Sequence, residues 1–185
     1  LGVHSYKDVL GAFDYLQTRG LDPDQIGALG ISLGSSAVIF ALEDEPKLGA
    51  AWLDTALARL DWAITDELGR YGLPNVFGPA LRWGGQTLTG IDIQAINPTQ
   101  SLQTGPQAYY LVHGTDDQRI YYKHARALSQ TAHQNGIDLT LWTVPGADHI
   151  DPILMHTQSY QTRLAHFFNS HLKQRPTLNA TVQSQ

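Results

Sequence analysis

Apolar residues recur at helical spacing from the start of the chain. Tyr6, Val9, Leu10, Phe13 and Leu16 predict an amphipathic helix of about four turns, with Ser5 and Asp8 as a capping-box variant and Gly20 as its stop. A polar turn over 21–24 leads to a short apolar strand, Gln25 to Ile31, and a second helix follows at once. That helix carries Ala37, Val38, Phe40, Ala41 and Leu42 on all sides, the pattern of a buried helix, and Glu43-Asp44-Glu45-Pro46 ends it. Leu48 to Leu53 predicts the next strand. From Asp54 to Pro106 the pattern changes. One amphipathic helix (Leu57, Leu60, Ile64, Leu68, Tyr71) precedes a Gly- and Pro-rich stretch, which predicts an insertion or small lid. Regularity returns with a strand over Ala108 to His113, a helix over Tyr121 to Asn135 closed by Gly136, and a strand over Leu139 to Val144. A last helix has Ile153, Tyr160, Leu164, Phe167 and Phe168 on one face, and the polar stretch 173–185 lacks the apolar content to fold.

Alternating strands and helices predict an α/β domain over 1–172: a doubly wound, mostly parallel sheet with the 54–106 insertion between the second and third visible strands. Four strands are visible. If the strand leading to Ser32 lay at an edge, an apolar ladder would stand unpaired, so further strands are expected ahead of Leu1.

Composition changes this picture little. The 185 residues are 42% hydrophobic, enough for one core, and the net charge of −5 gives no electrostatic reason for a nucleic-acid or anionic-membrane partner. With no cysteine, disulfides, thiolate zinc sites and a Cys nucleophile are excluded. No apolar run approaches a membrane span and no signal peptide is visible. A cytoplasmic setting is slightly favoured, with an upstream signal or anchor left open.

The chemistry concentrates after strands. A serine hydroxyl is a weak nucleophile until a base takes its proton, so a serine needs a histidine and a group to orient it. Gly30-Ile31-Ser32-Leu33-Gly34 ends the first strand, where glycines allow an abrupt turn into a helix that lifts Ser32 above the sheet. The Leu33 N–H and the positive end of the following helix then face developing negative charge. His113-Gly114-Thr115-Asp116-Asp117 follows the third strand, and either Asp could orient a histidine. Val144-Pro145-Gly146-Ala147-Asp148-His149 follows the fourth, bringing His149 to the same edge. Asp54, at the end of the second strand, is an alternative acid.

These three segments resemble the nucleophile elbow, acid turn and histidine loop of the α/β-hydrolase superfamily, over roughly residues 4 to 172 and nearest its esterase, acyl-hydrolase and prolyl-oligopeptidase-like groups. Asn97-Pro98 ahead of the third strand resembles the same groups. The resemblance implies a G-x-x-D acid, which selects Asp117 over Asp116, and a triad of Ser32, Asp117 and His149. It also implies about four further strands before the first helix and a second oxyanion N–H from a loop among them. This chain is thus expected to be a C-terminal portion with half an oxyanion hole. Loss of one such donor costs about 10² to 10³ in rate, so residues 1–185 alone are expected to be poorly soluble and nearly inactive.

The other histidines, His4, His113, His124, His133, His156, His166 and His171, show no metal-ligand spacing, so no metal and no cofactor is expected. Trp62, Phe77, Leu81 and Trp83, with Leu57 and Leu60, are the expected substrate-facing set, because the insertion lies above the site. The expected reaction is hydrolysis of a small carboxylic ester through an acyl-serine. The alternatives are a serine peptidase of the prolyl-oligopeptidase-like type, and a catalytically silent binding module or inactive fragment.

Overall fold

The computed structural model describes residues 4–45, 47–90, 92, 96–102 and 108–174. In chain order the elements are α1 (Tyr6–Thr18), β1 (Gly27–Ile31), α2 (Leu33–Asp44), β2 (Ala50–Asp54), α3 (Leu60–Arg70), α4 (Gly78–Thr89), α5 (Pro98–Ser101), β3 (Tyr109–Gly114), α6 (Lys123–Gln134), β4 (Leu139–Val144), α7 (Asp151–Met155) and α8 (Thr157–His171). The four strands form one parallel sheet in the order β1-β2-β3-β4, with Gly30 beside Leu53 and Val112 beside Trp142. Because the sheet is parallel and in chain order, all four strands end at the same edge, and every loop leaving that edge can contribute to one site.

Alternate residues of each strand serve two cores, as the strand period of two requires. On one face Ala51, Leu53, Tyr109 and Leu111 meet Phe13 of α1, Val38, Ile39 and Leu42 of α2 and Leu128 of α6. On the other, Trp52, Tyr110 and Val112 meet Tyr160 and Phe167 of α8. Trp52 stacks on Tyr110 with ring centres 4.2 Å apart. Burying an aromatic ring of this size is worth at most about 4–6 kcal/mol at 25 cal/mol/Å². Helices on both faces make the sheet doubly wound. The strand leading to Ser32 is an edge of the described sheet, and Leu29 within it is 44% exposed.

Local differences from the sequence reading have physical causes. Ser5 makes no side-chain cap, and the turn is closed instead by the Asp8 N–H donating to the Ser5 carbonyl. Gln25 closes a 3₁₀ turn over Pro23–Gln25 rather than starting β1, since Pro23 occupies the first position of that turn and the Gln25 side chain accepts from the Asp22 N–H. The last helix is two, α7 and α8, broken at His156. The Gly-rich stretch after α3, weak in periodicity, nonetheless holds α4, which Gly90 ends in a left-handed conformation. Residues 175–185 of the polar C-terminal stretch lie outside the described residues. Among the described residues no helix is long and apolar enough to cross a membrane.

Candidate active site

At the end of β1 the chain turns through Ser32, at φ 54° and ψ −118°, directly into α2. A left-handed φ on a non-glycine residue costs roughly 1–3 kcal/mol and persists only where surroundings impose it. Here they do. The Ser32 N–H donates to the Asp54 carbonyl at 2.8 Å, and the Ser35 hydroxyl reaches the carbonyls of Gly30 at 2.7 Å and Asp54 at 2.8 Å. A side chain at position 30 would run into the backbone of Gly34 and Ser35, so the tight turn requires Gly30. Gly34 faces open space, so the second glycine of the pentapeptide is not needed for contact. The other described non-glycine residues with positive φ are Thr55 and Ile150, one after the end of β2 and one next to His149. Backbone strain therefore gathers at this edge.

His149 lies between the two other polar groups of the site. Its Nδ1–H donates to Asp117 Oδ2 at 2.9 Å, and its Nε2 receives the Ser32 hydroxyl at 2.9 Å. The other carboxylate oxygen of Asp117 accepts the Arg119 and Ile120 amides, each at 2.8 Å, which fixes the plane of the carboxylate. Burial works to raise the Asp117 pKa, but the bonds from His149 and from those two amides outweigh it and hold the carboxyl below its ordinary range. His113 packs behind, donating from Nε2 to the Ile120 carbonyl at 2.7 Å, and burial pushes its pKa down so that it stays neutral. The Asp116 carboxylate accepts a local bond from the Thr115 hydroxyl, at 2.7 Å.

Asp148, which had no role in the sequence reading, and Gly114, the turn glycine of the G-x-x-D pattern, bring the acid turn and the histidine loop together. Asp148 Oδ1 accepts both the Gln118 N–H (2.8 Å) and the His149 N–H (2.7 Å). Gly114 lies so near the Ala147 carbonyl that any side chain there would collide with it. The signal of Asp148 in the sequence was only its adjacency to His149, whereas Gly114 was marked as a turn glycine and its close approach to Ala147 was not.

Asp54, weighed as the alternative acid, is fully buried and accepts the Tyr160 hydroxyl at 2.8 Å, which in turn accepts from Trp52 Nε1 at 2.8 Å. Its carboxylate is thus committed to α8, and the residue touches the site through its backbone carbonyl. Burial pushes the Asp54 carboxyl up to about 6, against the hydrogen bonds from Tyr160 and Thr55 that favour its charge. A carboxyl raised above its unfolded value stabilises the fold most at low pH, and that contribution fades as pH rises from about 4 through about 6. The shift corresponds to roughly 3 kcal/mol. Asp54→Asn keeps an acceptor for Tyr160 without a buried charge. It is expected to melt several degrees above wild type at pH 8, the gap closing toward pH 4, in paired thermal denaturation scans.

A cavity of about 340 Å³ opens beside Ser32 and His149, with Leu33, Ser36, Leu57, Leu60, Ala63, Ile64, Glu67, Arg119 and Ile120 around it. Leu60, Ala63, Ile64 and Glu67 are one face of α3. The four residues expected to face substrate are not brought to this cavity. Trp62 lies about 200° around α3 from Leu60, packs on His124 with ring centres 5.6 Å apart, and lines a separate groove with Lys123 and Arg126. Phe77, Leu81 and Trp83 are about half exposed or more, because α4 packs on α3 and the preceding turn rather than over Ser32. Leu57 and Leu60, from the same expected set, do line it. Among the described residues no cluster of three or more His, Asp or Glu is placed to hold a metal ion.

A model of the prolyl oligopeptidase family matches residues 1–175. No curated protein matches the sequence. Among solved structures, a puromycin-hydrolyzing peptidase of Mycobacterium tuberculosis superposes with a TM-score of 0.73 at 16% identity, over 95% of this chain and 26% of the other. An acylaminoacyl peptidase of Pyrococcus horikoshii gives 0.69 at 17% identity over 95% of this chain and 29% of the other. An esterase of Pyrococcus furiosus gives 0.60 at 18% identity over 80% and 54%. The chain therefore spans between about a quarter and about half the length of these structures, and at such identities the likeness shows the α/β-hydrolase fold.

Proposed function

The chain belongs to the prolyl oligopeptidase family of α/β-hydrolase-fold serine hydrolases, and from that premise we propose that it cleaves carboxylic esters through an acyl-serine at Ser32. The observation that carries this reading is the continuous relay from Asp117 through His149 to Ser32, with both hydrogen bonds at 2.9 Å. Asp117 keeps the proton on His149 Nδ1, leaving the Nε2 lone pair to take the Ser32 proton as Oγ attacks the carbonyl carbon. The tetrahedral oxyanion forms at the start of α2, where the Leu33 N–H has no intrahelical acceptor and the helix dipole favours negative charge. The imidazolium then returns the proton to the leaving alkoxide, and water repeats the sequence to release the acid and restore Ser32.

Peptide cleavage is the second reading, favoured by the family match and by the peptidases among the structural likenesses. It uses the same groups, with His149 protonating an amine instead. A matched p-nitrophenyl ester and p-nitroanilide of one acyl group separate the readings in the full-length protein. Turnover of the ester alone supports the esterase, and comparable turnover of the anilide selects the peptidase. A protein that turns over neither, and whose Ser32 takes no fluorophosphonate label, is a binding module.

A further inference from the structure

The turn into α2 and its first residues carry three serines with different surroundings. Ser32 meets His149, and Ser35 is satisfied by the carbonyls of Gly30 and Asp54. Ser36 is 4% exposed and its Oγ closed to solvent, yet among the described residues that Oγ has no hydrogen-bond partner. A buried hydroxyl left unpaired is destabilising, and alanine would fill the same helical position without that cost. Ser36, in the first turn of α2, also lines the cavity beside Ser32, where Leu57, Leu60, Ala63 and Ile64 supply apolar surface. Small-molecule sites have this character: apolar walls with few polar groups, which fix orientation and specificity.

We propose that Ser36 Oγ, turned about χ1 from its closed position toward the cavity, is a specificity-determining group that hydrogen-bonds a polar atom within the otherwise apolar acyl portion of the substrate. This rests on the hydrolase reading above and narrows its substrate class. Ser36 lies in the first turn of α2, about 4.5 Å of helical rise beyond Leu33 and just past the turn at Ser32, so the partner atom falls some three to four bonds from the reacting carbonyl carbon. The class is an acyl chain with an ether, hydroxyl or amide atom at that depth, rather than a plain alkanoate. A site that hydrogen-bonds a substrate atom discriminates against the analogue lacking it, because its own polar group is then left unpaired.

The test uses p-nitrophenyl hexanoate and three isosteres with oxygen at carbon three, four or five: propoxyacetate, 3-ethoxypropanoate and 4-methoxybutanoate. Intrinsic reactivity cancels when the oxa-to-hexanoate ratio of kcat/KM is compared between wild type and Ser36→Ala. The ratio for at least one isostere is expected to fall about tenfold in Ser36→Ala, with fluorophosphonate labelling of Ser32 retained. Ser36→Cys, the same shape with a somewhat larger and weaker donor, is expected to shift the same isostere in the same direction and serves if the alanine variant does not fold. Equal ratios in variant and wild type for all three isosteres, with labelling intact, overturn the role of Ser36 and leave the hydrolase reading standing. Absence of labelling and turnover in the wild type overturns both.

Discussion

His149→Ala in the full-length protein is expected to lower kcat about a million-fold while KM changes little, the scale found when the base of a Ser-His pair is removed. The reason lies in what the imidazole touches. Its Nε2 is the acceptor of the Ser32 hydroxyl proton, and no second described residue is hydrogen-bonded to that hydroxyl to replace it. The cavity walls come from α2, α3 and the turn after β3, so substrate still binds when the ring is gone. The variant should also lose fluorophosphonate labelling of Ser32, because that reagent reads nucleophilicity rather than fold. A variant that labels and turns over within tenfold of wild type would mean that Ser32 is activated by another group. The proposed mechanism would then fall.

The loops bearing Ser32, Asp117 and His149 were legible in the sequence because each follows an apolar strand, and parallel strands in chain order deliver their following loops to one edge. Asp54 shows where that reading stops. It sits on the same edge by the same rule, and only the partner contributed by α8, 106 residues away in the chain, removes its carboxylate from the site. The substrate-facing residues were obscure for a related reason. Aromatic residues in the insertion suggested a lined pocket, but which face of α3 meets Ser32 is decided by its packing on α6 through Asp66, Lys123 and His124, a contact between distant segments. Sequence spacing defines the faces of a helix and leaves their rotation to tertiary packing. Ser36 was invisible for a third reason. A serine in an apolar helix reads as incidental until its hydroxyl is seen without a partner beside a cavity.

Asp117→Asn is expected to cost about 10⁴ in kcat with the fold retained, the penalty known when an orienting aspartate becomes its amide in a serine hydrolase triad. An asparagine oxygen still accepts the Arg119 and Ile120 amides that hold Oδ1, so the turn keeps its shape. The other end of the amide then presents N–H groups to His149 Nδ1. That favours the tautomer with its proton on Nε2, which aims a donor at Ser32 where a lone pair is needed. The pH dependence of stability gives an independent check. The Asp117 carboxyl is held below its ordinary range, so its charge stabilises the fold above about pH 4, and this contribution is lost as pH falls through the lower folded value. Wild type should therefore melt above Asp117→Asn at pH 7, with the difference shrinking only below about pH 4, opposite in sign to Asp54→Asn. Stopped-flow turnover of a chromogenic ester and calorimetric scans of the same preparations measure both. An Asp117→Asn protein with kcat within tenfold of wild type would remove Asp117 from the relay, since the amide cannot hold the required tautomer.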